Sequence, residues 1–274
     1  MLTFLPTPIG NIEDITIRAV GVLEKADVLL CEDTRVAKRL LQLLSERFSK
    51  TFRVKRFISL HSHNEAEFIA DLTPDFFDQN VVYMSDAGMP CISDPGAVLA
   101  RWCRQNGVAY TVLPGPSAFS TAYAASGFGA TRFLFFGFLP HKGDARRQAL
   151  AEALRQPWPV VLYEAPHRLE KLLKELEQEA PKRSLFLAKE ISKRYERYYF
   201  GTAQSLLETL QEQGIRGEWA VVLDGVTPDE GDAEAALAEV LSSDMPPRKK
   251  AKAMAKLTGK SVKECYRELT KTVE

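Results

Sequence analysis

At 274 residues, with 45% hydrophobic and 26% charged residues, the chain has the make-up of a soluble globular protein large enough for two domains and an appendage. No apolar run approaches the roughly 20 residues of a membrane-spanning helix, and Cys31, Cys91, Cys103 and Cys265, scattered without CxxC spacing, argue against a disulfide frame or a structural zinc site. Its 36 basic and 36 acidic residues cancel, but unevenly: Pro228 to Asp244 holds six acidic residues and no basic one, whereas Pro246 to Glu274 holds nine Lys/Arg against three Glu.

The start, MLTFLPTPIG, lacks a basic flank and a long apolar core, so it reads as a first strand rather than a signal peptide, and a cytoplasmic protein is expected. Short apolar runs follow at Leu2–Pro6, Val28–Cys31, Phe57–Leu60, Val81–Met84 and Tyr110–Leu113, each ended by turn chemistry and then helical spacing. Continuous runs of this kind suit parallel strands covered on both faces. Helices are predicted at Ile15–Glu24 and at Thr34–Arg47, where Leu40, Leu41, Leu43 and Leu44 group on one side, with a further one from Ala97. The cluster LPGPSA, Leu113 to Ala118, reads as a hinge into a second α/β domain. That domain holds the runs Phe133–Phe138, Val160–Tyr163, Leu185–Ala188 and Ala220–Leu223 and a helix at Arg168–Glu179. The basic tail reads as two short helices, Arg248–Leu257 and Ser261–Thr272, around a tight turn at Gly259. The fold class is therefore α/β, with expected domains 1–115 and 116–227 and a segment 228–274 made of an acidic linker helix and a helix-turn-helix-like module.

In open α/β sheets ligands bind beyond the carboxyl ends of the strands, which directs attention to TPIGN (Thr7–Asn11), SDAGMPCISDPG (Ser85–Gly96) and LPGPSA. The twelve-residue loop from Ser85, with glycines, prolines and two aspartates, is long enough to be a ligand loop. None of the three carries a dinucleotide or P-loop fingerprint. Candidate proton acceptors sit at strand ends, and each has a structural alternative. Asp33 suits a helix cap and Glu32 an ion pair as well as they suit catalysis, His167 suits a helix start, and Lys189 a salt bridge. Glu164 stands beside His167 and Arg168 in YEAPHR. No single base is chosen among them. His61 and His63 have the spacing of two metal ligands, but no third residue completes a set and no metal is expected. Arg248, Lys249, Lys250, Lys252, Lys256, Lys260 and Lys263 form a cationic array suited to a nucleic-acid backbone, a solvated helical surface being the alternative.

The segments TPIGNIEDITIRA, LLCEDTR, SDAGMPCISDPG, LPGPSA, FFGFLP, YEAPHR and PPRKKAKAMAKLTGKSVKECY together resemble the bacterial ribosomal small-subunit RNA 2'-O-ribose methyltransferase I family, part of the tetrapyrrole methylase superfamily. The likeness runs from Leu2 to Tyr266. It implies two α/β domains with an S-adenosylmethionine cleft between them, a homodimer, and transfer of a methyl group to the ribose 2'-hydroxyl of a decoding-centre cytidine in 16S rRNA within the 30S subunit. It also implies cofactor contacts at Pro8, Ile9, Gly10, Ala87, Gly88, Met89, Ile92, Ser117, Ala118, Tyr163, Glu164 and Gly201. Met89 departs from the threonine of the family pattern, so a hydroxyl contact is lost there. In this light Asp86 and Asp94 read as loop braces rather than acid/base groups. A tetrapyrrole methylase and a non-catalytic RNA-binding assembly factor are the alternatives.

Overall fold

The computed structural model describes residues 1–225, 237, 239–243, 245–258 and 260–271. Its contacts gather into two compact units, Met1–Asp224 and Gly225–Glu274.

The first unit holds two five-stranded sheets. In the first sheet β1 (Leu2–Phe4), β2 (Val28–Cys31), β3 (Arg56–Ser59), β4 (Val81–Met84) and β5 (Tyr110–Val112) run parallel in the order β3-β2-β4-β1-β5. Strands β2 and β4 are buried at every position because helices cover both faces. α1 (Ile17–Leu23) and α2 (Thr34–Phe48) close one face through Val20, Leu23, Leu41 and Leu44, and α3 (Glu65–Ala70) and α4 (Ala97–Gln105) close the other through Phe68, Leu99 and Cys103. Helix α2 starts where Asp33 accepts from the Arg35 amide and stops at Ser49, which adopts a left-handed conformation. Because β1 lies between β4 and β5, the loops that follow these three strands emerge side by side.

The second sheet contains β6 (Leu134–Phe138), β7 (Val160–Glu164), β8 (Leu185–Lys189), β9 (Arg197–Gly201) and β10 (Trp219–Leu223), in the order β6-β7-β10-β8-β9. It is mixed: β6 and β7 are parallel, whereas β10 runs antiparallel to both β7 and β8, and β9 antiparallel to β8. The N-terminal end of β10 therefore reaches the same edge as the C-terminal ends of β7 and β8, with Trp219 opposite Glu164 and Lys189. Helices α6 (Gly143–Leu154), α7 (Pro166–Glu179) and α8 (Ala203–Gln213) bury a leucine-rich face against one side. α5 (Ala118–Ser126) lies on the other side, with Ala122 packed among Val161, Ala188, Ala220 and Val222. The LPGPSA segment thus leads directly into a helix of the second sheet.

In the second unit α9 (Pro247–Thr258) and α10 (Val262–Lys271) meet through Ala251, Met254 and Cys265, joined by Leu237, Val240 and Leu269. Gly259 of the expected turn, and residues 228–236, 238 and 244 of the acidic segment, lie outside the described residues.

Candidate functional site

A cavity of about 390 Å³ opens where the loops after β1, β4 and β5 face the edge of the second sheet. The first sheet contributes Ile9, the run Ala87–Met89 and Ile92–Asp94. Ser117–Phe119 follow β5, and Phe138, Tyr163–Pro166, Ala188, Ile191 and Glu218–Ala220 form the opposing wall. Its size and mainly apolar walls suit a small organic ligand held by a few polar groups. Two such groups are available among the described residues: Ser117 Oγ and Trp219 Nε1 are buried without a hydrogen-bond partner in the protein. Buried polar atoms of this kind are rare in a finished interior.

Local backbone pairing fixes the loop wall. Thr7 and Gly88 form an antiparallel bridge in which each amide donates to the other's carbonyl at 3.0 Å. Thr7 Oγ1 donates to the Ser85 carbonyl at 3.2 Å and Ser85 Oγ to the Gly88 carbonyl at 3.3 Å, so β1 and β4 are tied beyond their strand ends. Gly88 has φ +83°, and a Cβ there would stand 3.2 Å from Ile9 Cγ2. Gly88→Ala should therefore cost about 1–2 kcal/mol for the left-handed conformation. A thermal melt should show a midpoint lower by about 2–8 °C, and an unchanged midpoint would show that the bridge does not require glycine.

The loop's two aspartates have different surroundings. Asp86 is a brace: its Oδ1 accepts from the Asp33 amide at 3.2 Å, and its own amide donates to Glu32 Oε1 at 3.2 Å. Asp94 faces the cavity, and burial, reinforced by the negative charge of Glu32, pushes its carboxyl up to about 6. Partial burial also raises Glu32 and Asp86 above the usual carboxylate range. Tyr163 accepts a hydrogen bond at its hydroxyl from the Phe119 amide, pinning α5 to β7, and burial pushes its phenol up to about 12.

Glu164 lies at the end of β7 with its side chain wholly buried. Its carboxylate is engaged from two sides, by Arg168 Nε at 2.9 Å and Arg146 Nη1 at 3.4 Å, and it also accepts from the Ala165 amide. The Arg168 contact is an ion pair whose N–H is not aligned for a hydrogen bond. Arg146, itself 2% exposed, pairs as well with Glu175 at 2.8 Å.

The structure brings some residues singled out in the sequence together and separates others. Ile9, Ala87, Gly88, Met89, Ile92, Ser117, Ala118, Tyr163 and Glu164 share the cavity wall. Pro8, Gly10 and Gly201 are not in it. Gly10 serves a close approach between loops, since a Cβ there would stand 2.5 Å from Lys193 Cγ and 2.7 Å from the Ser192 backbone. Gly201 ends the edge strand β9 against Ser205 of α8. Among the candidate proton acceptors, Asp33 caps α2 and pairs with Arg35, which holds its carboxyl down to about 2. Glu32 braces Asp86, His167 is exposed on the first turn of α7, and Lys189 places its Nζ 5.4 Å from the Trp219 ring centroid. His61 and His63 pack edge to face, and no cluster of three metal-ligating side chains occurs among the described residues. In the second unit Arg248, Lys249, Lys252, Lys256, Lys260 and Lys263 are exposed. Lys250 is half-buried and donates to the Leu241 carbonyl, and Lys260 pairs with Glu268 at 2.7 Å. Sequence reasoning missed Phe138, Ala188, Ile191 and Glu218–Ala220 as cavity walls. The first three could have been found from the strand ends; the last depends on the antiparallel course of β10.

Comparison with known proteins adds three findings. A model of the tetrapyrrole (corrin/porphyrin) methylases matches residues 1–207. The ribosomal RNA small subunit methyltransferase I of Helicobacter pylori is 46% identical over 282 residues, covering 97% of this chain and 96% of that protein, and that of Thermotoga maritima is 36% identical, covering 82% of this chain and 98% of that protein. Among solved structures, a uroporphyrin-III-C-methyltransferase from Thermus thermophilus superposes with a TM-score of 0.55 at 20% identity, covering 81% of this chain and 94% of that one, a likeness of fold.

Proposed function

The chain belongs to the tetrapyrrole (corrin/porphyrin) methylase family and, within it, to the ribosomal RNA small subunit methyltransferases I, and from that premise we propose that it uses S-adenosylmethionine to methylate the ribose 2'-hydroxyl of a decoding-centre cytidine in 16S rRNA. The observation that carries this reading is the cavity, whose volume, Gly and Ala walls and two unpartnered polar atoms fit the cofactor. Ser117, Trp219 and the backbone of Ala87–Met89 would hold it, with Tyr163 fixing the opposite wall through α5. When bound, the cofactor supplies a methyl group already activated by a positively charged sulfur. The protein's share is then alignment of two reactants, which can lower a barrier by about 7–11 kcal/mol, together with a destination for the ribose proton. Asp94, the cavity-wall carboxylate without an ion-pair partner among the described residues, Glu164 being held by Arg146 and Arg168 and Glu218 by Lys193, is our candidate for that role.

The exposed Arg248, Lys249, Lys252 and Lys256 of α9 support an RNA substrate, since cationic helices bind phosphate backbones. The Thermotoga protein leaves unmatched a share of this chain close to that of Gly225–Glu274, so in our reading the tail adds grip and the chemistry resides in Met1–Asp224. A tetrapyrrole substrate is less well supported, because among the described residues the cavity wall carries no lysine or arginine to meet its carboxylates. Action on the assembled 30S subunit, a homodimeric state and a cytoplasmic setting complete the proposal.

Incubation with labelled S-adenosylmethionine and unmodified 30S subunits should place one ribose methyl on the decoding-centre cytidine. Cofactor binding without any ribose methyl would overturn the assignment, and failure to bind the cofactor in a calorimeter would favour a non-catalytic assembly factor.

A further inference from the structure

Strand β6 has the sequence LFFGF, and its pairing with β7 shifts register between Phe135 and Gly137. Gly137 makes the shift possible: it is buried at φ +66°, and a Cβ there would stand 3.4 Å from Ser93 Oγ in the loop after β4. Bulges of this kind re-aim the side chains that follow them. Here the next residue, Phe138, lines the cavity yet leaves 55% of its surface in solvent, with its ring centroid 5.5 Å from that of Tyr163.

An aromatic ring at a cavity mouth would ordinarily fold back to bury itself. The chain beyond Phe138 is held against that. Leu139 is 3% exposed, and Arg168 Nη2 donates to its carbonyl at 2.7 Å. The Pro140 carbonyl accepts from Arg146 Nη1 at 3.2 Å and from Arg168 Nη2 at 3.3 Å. The two guanidiniums that grip Glu164 therefore also clamp the backbone behind the ring. His141 and Lys142 follow, both exposed.

We propose that Phe138 is the platform on which the unpaired base of the methylated nucleotide stacks. The inference rests on the RNA reading above and names the residue that positions the target. A nucleotide whose ribose enters the cavity mouth must place its base beside that mouth, and an unpaired base needs a flat apolar surface there. A ring carried on clamped backbone loses less entropy on contact than one on a free loop, and Lys142, four residues on, offers a cation to the adjoining phosphate. Stacking is tolerant of base identity, so Phe138 contributes grip and alignment while sequence choice lies elsewhere.

The test uses the full-length protein, labelled S-adenosylmethionine and unmodified 30S subunits, comparing wild type, Phe138→Ala and Phe138→Trp. Phe138→Ala should lower kcat/KM for the subunit by about 5- to 150-fold, the range for loss of one base–aromatic stack. Because Phe138 also forms part of the cavity wall, calorimetric affinity for the cofactor should fall in Phe138→Ala, but far less than kcat/KM for the subunit, and Phe138→Trp should recover most of both losses. A fall in cofactor affinity equal to the fall in kcat/KM overturns the proposal. A wild-type chain that transfers normally beside an equally active Phe138→Ala overturns this inference alone. A wild-type chain that transfers nothing overturns the RNA reading and this inference with it. If Phe138→Ala changes the sedimentation mass and Phe138→Trp restores neither mass nor rate, the ring belongs to a contact between copies of the chain and the proposal fails.

Discussion

Replacing Asp94 by Asn should lower methyl transfer to 30S subunits by about 10²- to 10⁴-fold, the contribution typical of a positioned proton acceptor, while cofactor affinity changes little. The pH dependence gives the sharper test. A base works in its deprotonated form, so with the Asp94 carboxyl pushed up to about 6 the wild-type rate should fall as pH drops through that value and level off above it. The groups bearing on this titration are Glu32 and Asp86, which repel its charge, and the Ser85 hydroxyl, which stabilises it. Tyr83, Cys91 and Tyr163 feel the Asp94 charge in return. In Asp94→Asn the acid limb should vanish. Stability should move the other way. A carboxyl raised above its unfolded value favours the fold fully below the unfolded pKa, and that contribution is lost as pH rises through about 6. The neutral amide should therefore melt higher than wild type at pH 8. An Asn variant with the wild-type rate and the acid limb intact would remove Asp94 from the chemistry.

This assignment reverses the order of importance that the sequence suggests, and the reason is geometric. Asp86 and Asp94 sit in one turn-rich loop with similar neighbours, and only the tertiary path shows that Asp86 turns back onto Asp33 and Glu32 while Asp94 meets the second sheet's edge. The first sheet is far more legible. Val28–Cys31 and Val81–Met84 are buried on both faces, so their apolar runs are unbroken, and the helix cap Asp33 after the first and Gly88 and Pro90 after the second mark the strand ends. Strand β9 is an edge strand whose Tyr198 and Phe200 stay exposed, so it lacks the unbroken apolar run by which the buried strands are recognised. The antiparallel placement of β10 rests on long-range pairing with β7 and β8, and no local pattern announces that Trp219 reaches the cavity. Glu164 shows the same limit. YEAPHR suggests a catalytic acid beside a histidine, yet what decides its role is Arg146, which comes from helix α6.

Glu164→Gln should accordingly fail by unfolding and not by slowed chemistry. The substitution keeps the shape of the side chain but removes the charge between Arg146 and Arg168. Arg146, 2% exposed, retains Glu175, while Arg168 retains the Leu139 and Pro140 carbonyls. Breaking a buried pair from one side typically costs about 3–5 kcal/mol, because a charge is left without its partner in a medium that cannot solvate it. For a body of this size that lowers the melting midpoint on the order of 10 °C. The double change Glu164→Leu with Arg146→Met removes both charges and should recover part of the loss, which a purely catalytic role would not predict. Methyl transfer per folded molecule at 25 °C should fall no more than about tenfold, through a looser Leu139–Pro140 clamp and a less steady Phe138, against the 10²- to 10⁴-fold expected at Asp94. A Glu164→Gln chain that melts like wild type and loses more than a hundredfold in rate would return Glu164 to the reaction itself, and the two guanidiniums would then have to be read as tuning a catalytic carboxylate.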